Sequence, residues 1–321
     1  MDLVCMGVLI MDMFPMEKGK HIAEVSAYKP TPGGAPANVA VAAKRLGIDS
    51  AFIGKVGNDD FGHYLAEVLQ GEGIDIRGIR YDDFARTTLN FHSKPTADLI
   101  EYLFYRNPGA DYMLKADELE LDLIKNTKAF HFDSLCLTHE PCQSATYKAV
   151  KTARESGAVV SFDVNYREPV WSSTEIFLEL TFDMIRHADI VKLNEHEIGL
   201  LYPNADIETA CRQILEDGPQ LCLVTMGPNG SLFVTQNGGK RIKALDVAVV
   251  EPIGCGDAFI GGFLSQIIRN RVRLDGLTTE RLSEFVKYAD TVAALTATKY
   301  GTIPAMPELS EVEKWHRKRR D

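Results

Sequence analysis

Gly254-Cys255-Gly256-Asp257 is the segment of this chain best suited to chemistry. A Gly-x-Gly turn before a helix leaves several backbone N–H groups pointing at one spot. The positive end of the helix dipole lies behind them, so the turn is a candidate phosphate or oxyanion site. Asp257 falls in the first helical turn. There it suits a general base held beside the anion hole, and equally an acid that only stabilises the dipole.

Four further segments place polar groups beside glycines or at strand ends. Gly33-Gly34-x-x-x-Asn38 runs through Pro36 into the small residues Ala37, Ala40, Ala42 and Ala43. The glycines let a ligand approach the main chain, and Asn38 sits in the first helical turn, placed to face it. Lys192-Leu193-Asn194-Glu195-His196-Glu197 follows an apolar run. Asn194 and Glu197 share a helix face there, which suits Mg²⁺ held through waters or, alternatively, a plain helix cap. Asp163-Val164-Asn165-Tyr166-Arg167 and Thr225-Met226-Gly227-Pro228-Asn229-Gly230 also follow apolar runs. Polar groups at successive strand ends, beside a Gly-x-Gly helix start, point to an active site along one sheet edge.

Several classes are excluded. No Gly-x-x-x-x-Gly-Lys-Ser/Thr occurs, nor the Gly-rich loop and His-Arg-Asp set of protein kinases, nor Gly-x-Gly-x-x-Gly after the first strand. The net charge of -10 argues against nucleic acid and anionic membrane as partners. No uncharged apolar run has the length of a membrane span. The acid at position 2 and Asp12 in the first apolar stretch do not read as a secretory signal. The six cysteines lack C-x-x-C pairs or zinc spacing, so the expectation is reduced core thiols in the cytosol. His131, His139, His187 and His196 share no metal spacing. The basic end, Lys314, Arg317, Lys318, Arg319 and Arg320, completes a helix favourably for its dipole.

The elements that must position these groups alternate. A first buried strand is expected over 2–9, then a polar, irregular stretch to about 32. A helix follows over 36–46, a strand over 50–55 and a helix over 60–72. Segments 87–94 and 100–105 alternate as a two-strand ribbon. From 116 onward apolar strands (129–133, 158–163, 189–193, 220–225) separate helices (140–156, 174–186, 206–217). Asn237-Gly238 reads as a hairpin turn. A long helix starts near Cys255 and another runs over 280–298. Short strands separated by helices imply right-handed crossovers and a doubly wound, mostly parallel α/β sheet flanked by helices. The stretches 12–32 and 85–106 fall outside the alternation and are expected to form a small β lid on a single domain spanning 1–321.

These motifs, in this order, resemble the ribokinase-like (PfkB-type) carbohydrate kinases over essentially the whole chain. The early part is Gly33-Gly34-x-x-x-Asn38 with Phe52-Ile53-Gly54-x-Val56-Gly57-x-Asp59-x-x-Gly62, and the late part is Gly254-Cys255-Gly256-Asp257-Ala258-Phe259. Within the family, Tyr105-Arg106-Asn107-Pro108-Gly109-Ala110-Asp111 and Phe162-Asp163-x-Asn165-x-Arg167 look like fructokinases. The resemblance implies that Asp257 deprotonates a sugar hydroxyl that attacks the γ-phosphorus of ATP, while Gly254, Cys255 and Gly256 hold the charge of the transferring phosphoryl group. It implies that Asp12, Gly33, Gly34 and Asn38 hold the sugar, that Arg106 and Arg167 line the sugar and phosphate side, and that Asn194, Thr225, Gly227 and Gly230 border the nucleotide. Glu197 would organise Mg²⁺ through water.

The family usually reads Asp-Thr-Thr-Gly-Ala-Gly-Asp where this chain has Glu251-Pro252-Ile253-Gly254-Cys255-Gly256-Asp257. Pro252 and Ile253 remove a donor and a hydroxyl from the loop that commonly binds a monovalent cation, which argues against K⁺ activation. Cys255 replaces a small alanine, so packing rather than nucleophilic attack is its expected role. The expected reaction is ATP-dependent phosphorylation of D-fructose at its 6-hydroxyl. The alternatives are a kinase for ribose or 2-keto-3-deoxygluconate, or a non-catalytic sugar-responsive regulator. The lid's edge strands offer a homodimer contact.

Overall fold

The computed structural model describes residues 1–96 and 99–318. Its strands are β1 (Leu3–Met6), β2 (Ile10–Pro15), β3 (Tyr28–Gly33), β4 (Ser50–Gly57), β5 (Asp75–Asp82), β6 (Leu89–Ser93), β7 (Glu101–Tyr105), β8 (Ala129–Asp133), β9 (Val159–Asp163), β10 (Ile190–Asn194), β11 (Leu221–Thr225), β12 (Ser231–Thr235) and β13 (Gly238–Ile242). The helices are α1 (Ala35–Arg45), α2 (Asp60–Gly71), α3 (Leu121–Lys125), α4 (Cys142–Glu155), α5 (Thr174–Ile185), α6 (Glu195–Leu201), α7 (Ile207–Glu216), α8 (Cys255–Asn270), α9 (Thr279–Ala297) and α10 (Leu309–Lys318).

Nine strands form the main sheet in the order β13-β12-β11-β10-β9-β8-β1-β4-β5. The seven from β5 to β11 pair parallel, and the β12–β13 hairpin adds two antiparallel strands at one edge. Successive side chains of a strand point to opposite faces, and the core divides accordingly. Val4, Met6, Phe130, Phe132, Val191 and Leu193 pack on one side with α3 to α7. Leu3, Cys5, Ala129 and Ile190 pack on the other with α1, α2, α8, α9 and α10. That is the doubly wound arrangement expected from the alternation of strands and helices.

A second sheet has the order β3-β2-β6-β7. It is made of two antiparallel pairs joined by parallel pairing of β2 with β6. Cross-strand register places Asp12, Asn90 and Phe104 on one face and Met13, Phe91 and Leu103 on the other. The expected ribbon is β6 and β7. The strand expected over 2–9 is shorter, Leu3–Met6, because the chain leaves the main sheet after Met6 and enters the second sheet as β2 at Ile10. β3 lies in the stretch read as irregular: Pro30 and Pro32 conceal it, and an edge strand tolerates them. β5 escaped notice because an edge strand with Arg77 and Arg80 lacks an apolar run. The hairpin turn falls at Gln236-Asn237, with Gly238 already in β13. Arg319 and Arg320 lie outside the described residues. Among those described, no helix is long and apolar enough to cross a membrane.

Candidate active site

Parallel pairing brings the C-terminal residues of four neighbouring strands to one edge: Asp133, Asp163, Asn194 and Thr225. The start of α8 lies against that edge, and the second sheet stands over it. Between them is a cavity of about 240 Å³ whose polar wall includes Asp12, Gly34, Asn38, Asn90, Asn165, Arg167, Lys192, Asn194, Gly254, Gly256 and Asp257. Ile10, Ile100, Phe104 and Leu135 supply its apolar wall. A second cavity of about 640 Å³ is lined by Gly227, Pro228, Gly230, Val249, Cys255 and Phe259. The two share Thr225, Pro252 and Gly256, so the Gly-x-Gly turn lies where they meet.

Gly254 caps α8 in the left-handed conformation, with φ of 87°, which favours glycine. The next residues begin the helix, whose first N–H groups have no partner within it; the Cys255 N–H makes only a long contact, 3.3 Å, with the Pro252 carbonyl. At Gly256 the helix start approaches Lys192 closely: a Cβ there would lie 2.8 Å from Lys192 Nζ and the ammonium would have to shift. The Lys192 ammonium itself is buried and pairs with Asp163 at 2.9 Å. Burial pulls Lys192 toward neutrality, but the Asp163 carboxylate outweighs it and holds the ammonium above its ordinary value. The turn thus carries a fixed cation behind its backbone donors.

Asn38 Nδ2 donates to Asp257 Oδ2 at 2.7 Å. Burial pushes the Asp257 carboxyl up to about 6, with the Asn38 bond opposing it and Asp163 adding to the rise. Across the cavity, Asn90 Nδ2 donates to Asp12 Oδ1 at 2.8 Å. Burial raises Asp12 to about 7. Asp133 is raised by burial to about 7 also, and accepts from Asn165 Nδ2 at 2.8 Å. Arg167 faces the ring of Tyr102, its guanidinium carbon 5.4 Å from the ring centre. Burial pushes the Cys255 thiol up to about 12, so it is no thiolate nucleophile.

Three expected site residues are placed differently. Arg106 does not line either cavity. Its guanidinium is buried against Asp111 at 2.6 Å and donates to Thr138 Oγ1 and the Leu135 carbonyl. The ribbon's exit turns it inward to brace the loop after β7. Glu197 is also buried outside both cavities. Its two oxygens accept from the backbone N–H groups of Tyr166 and Asn194, each at 2.8 Å, while Asn194 Oδ1 accepts from the Glu197 N–H. The capping box uses one carboxylate oxygen and the Tyr166 N–H the other, so Glu197 fixes Asn194 and the Asn165–Arg167 turn. Gly33, at the end of β3, likewise lines neither cavity and lies under the Asp12 carboxylate. Sequence reasoning missed Asn90, Asp133 and the role of Lys192, because nothing local distinguishes them from strand residues.

The family model described as pfkB family carbohydrate kinase matches residues 1–309. The chain belongs to this family. It is 42% identical over 307 residues to "Probable fructokinase-6, chloroplastic" of Arabidopsis thaliana, covering 95% of this chain and 79% of that protein. Its fold is similar to that of the fructokinase with bound ATP from Xylella fastidiosa, with a TM-score of 0.91 and 29% identity over 100% of this chain and 99% of the other. It is also similar to the fructokinase from Vibrio cholerae O395 in its fructose, ADP and calcium ion bound form, with a TM-score of 0.87, 30% identity and 98% of each chain covered.

Proposed function

We propose that this carbohydrate kinase is an ATP-dependent fructokinase that phosphorylates the 6-hydroxyl of D-fructose. One observation carries the reading: the buried carboxylate of Asp257, oriented by Asn38, stands beside the Gly256 junction between a small polar cavity and a larger, more apolar one. The small cavity suits a sugar and the larger one a nucleotide. The names of the similar proteins, fructokinases with ATP or with fructose and ADP, support the same pair of substrates.

In this reading the sugar lies between Asp12 and Asp257, with its reacting hydroxyl toward Asp257. Asp257 accepts the hydroxyl proton as the oxygen attacks the γ-phosphorus. The N–H groups of Gly254, Cys255 and Gly256, with Lys192 behind them, hold the charge on the transferring group. Thr225, Gly227 and Gly230 border the nucleotide. Among the described residues no group of three or more His, Cys, Asp or Glu could hold a metal. Asn194, at the wall of the smaller cavity, would be the residue to hold Mg²⁺ there through water. When bound, the ion neutralises phosphate charge. Glu251 Oε1 accepts from the Ile253 N–H at 3.3 Å, and the reading without K⁺ activation rests on Pro252 and Ile253 in this loop.

The second sheet acts as a lid, and its outward Leu103 and Tyr105, 43% and 63% exposed, favour a homodimer through that face. All six cysteines are free thiols, which supports a cytosolic setting. Sugar-dependent ADP release, measured as kcat/KM over a panel including D-fructose, ribose and 2-keto-3-deoxygluconate, tests the reading. Preference for D-fructose is expected. Preference for another sugar moves the specificity, and no turnover with any sugar leaves the regulator.

A further inference from the structure

The Asp12 carboxylate is flanked by a side chain that no sequence motif singles out. Asn90 sits on β6, directly opposite Asp12 on β2, and both line the smaller cavity. A carboxylate facing an amide accepts, so the contact at 2.8 Å fixes which end of the Asn90 amide faces Asp12. The NH₂ group is turned to Asp12, and the amide oxygen is left buried with no partner in the protein. Asn90 as a whole is only 6% exposed. A buried acceptor without a donor is destabilising, so the residue's presence is unexplained by folding alone.

The same shortage recurs across the cavity. Asn38 uses its NH₂ group on Asp257, and its amide oxygen is likewise buried and unpartnered. Asp12, Asp257, Asn38 and Asn90 all line the cavity, and each carries acceptor oxygens. Two cations face these acceptors: Lys192, paired with Asp163, and Arg167. A ligand that satisfies such a wall brings O–H donors of its own, at more than one carbon.

We propose that Asn90 is a specificity-determining residue, whose amide oxygen accepts a hydrogen bond from a sugar hydroxyl remote from the one phosphorylated. The inference rests on the fructokinase reading and deepens it. Asn90 stands on the second sheet whereas Asp257 starts α8, so the hydroxyl that meets Asn90 is at the far end of the sugar from the phosphoryl group.

The test is a cycle between enzyme and substrate. Wild type, Asn90→Ala and Asp12→Asn are assayed with D-fructose and with its 1-, 3- and 4-deoxy analogues. Asn90→Ala is expected to lower kcat/KM for D-fructose about tenfold, mainly through the sugar KM, with the ATP KM unchanged. On one analogue, Asn90→Ala and wild type are expected to match, because the missing hydroxyl removes the bond the substitution removes. That hydroxyl should differ from the one coupled to Asp12. Equal losses on every analogue overturn the proposal. So does a single hydroxyl coupled to both residues, since Asn90 then acts only by positioning Asp12. If Asn90→Ala does not fold, Asn90→Ser goes through the same cycle, and a wild type that uses every deoxy analogue as well as D-fructose is also fatal to it. A wild type that turns over another sugar but not D-fructose refutes the fructose reading instead, and the cycle is then run on that sugar's deoxy analogues.

Discussion

Asn38 and Asp257 are 219 residues apart in the chain and joined by a 2.7 Å hydrogen bond inside the protein. The bond links the first turn of α1 to the first turn of α8. It fixes one carboxylate oxygen, and in the proposed reaction the other receives the substrate's proton. Asp257→Asn keeps the shape and removes the proton acceptor. Its kcat is expected to fall ~10²–10⁴-fold, with ATP binding little changed because the backbone donors remain. Calorimetric ATP binding beside steady-state kinetics checks this, and wild-type turnover by a folded variant would reject Asp257 as the base.

The pH dependence has opposite signs for activity and stability. If Asp257 is the base proposed here it must be ionised, so kcat/KM should rise with pH through about 6, the value to which burial lifts it. A carboxyl raised above its unfolded value stabilises the fold fully below the unfolded pKa and loses that contribution as pH climbs through the folded one. Asp257, Asp12 and Asp133 should thus each weaken stability between about pH 4 and 7, by about 1.4 kcal/mol per pH unit at most. Asp257→Asn should therefore melt above wild type at pH 8, a result contrary to a dipole-stabilising acid. Denaturant titrations at pH 5 and pH 8 read the difference.

Lys192 and Asp163 are both buried, with 2.9 Å between ammonium and carboxylate. Removing one partner of such a pair costs about 3–5 kcal/mol. Lys192→Met should destabilise by that order, and Lys192→Met with Asp163→Leu should recover much of it. The double variant should still be slow, because the cation against Gly256 is gone. Full recovery of both stability and kcat in the double variant would reduce the pair to packing.

Arg106 and Arg167 should behave differently despite both being arginines near the sugar side. Arg106→Ala leaves the buried Asp111 carboxylate without its cation, with the Thr88 hydroxyl still donating to it, so a stability loss of about 3–5 kcal/mol is expected. Arg167→Ala should instead raise a substrate KM, since Arg167 lines the cavity. Melting curves and KM values for the two variants side by side decide it.

Phosphoryl transfer must exclude water to avoid hydrolysing ATP. Hydrogen exchange in β2, β3, β6 and β7 should slow when D-fructose is added. Unchanged exchange at saturating sugar would argue against closure of this sheet.

The sequence alone determined the doubly wound sheet, because short apolar strands between helices leave one economical topology. It also determined the Gly254–Asp257 turn and Asn38, because anion holes and tight turns need particular residues at fixed short spacing. Tertiary structure decided everything that depends on which way a side chain turns. Arg106 sits beside the motif that suggested a sugar contact, yet Asp111, five residues on, draws it inward. Glu197 has the spacing of a metal group, but the same spacing makes a capping box, and the backbone N–H groups of Tyr166 and Asn194 occupy its oxygens. Asn90 and Asp133 look like ordinary strand residues. Only cross-strand register and the stacking of strand ends, both set by contacts distant in sequence, bring them to the cavity.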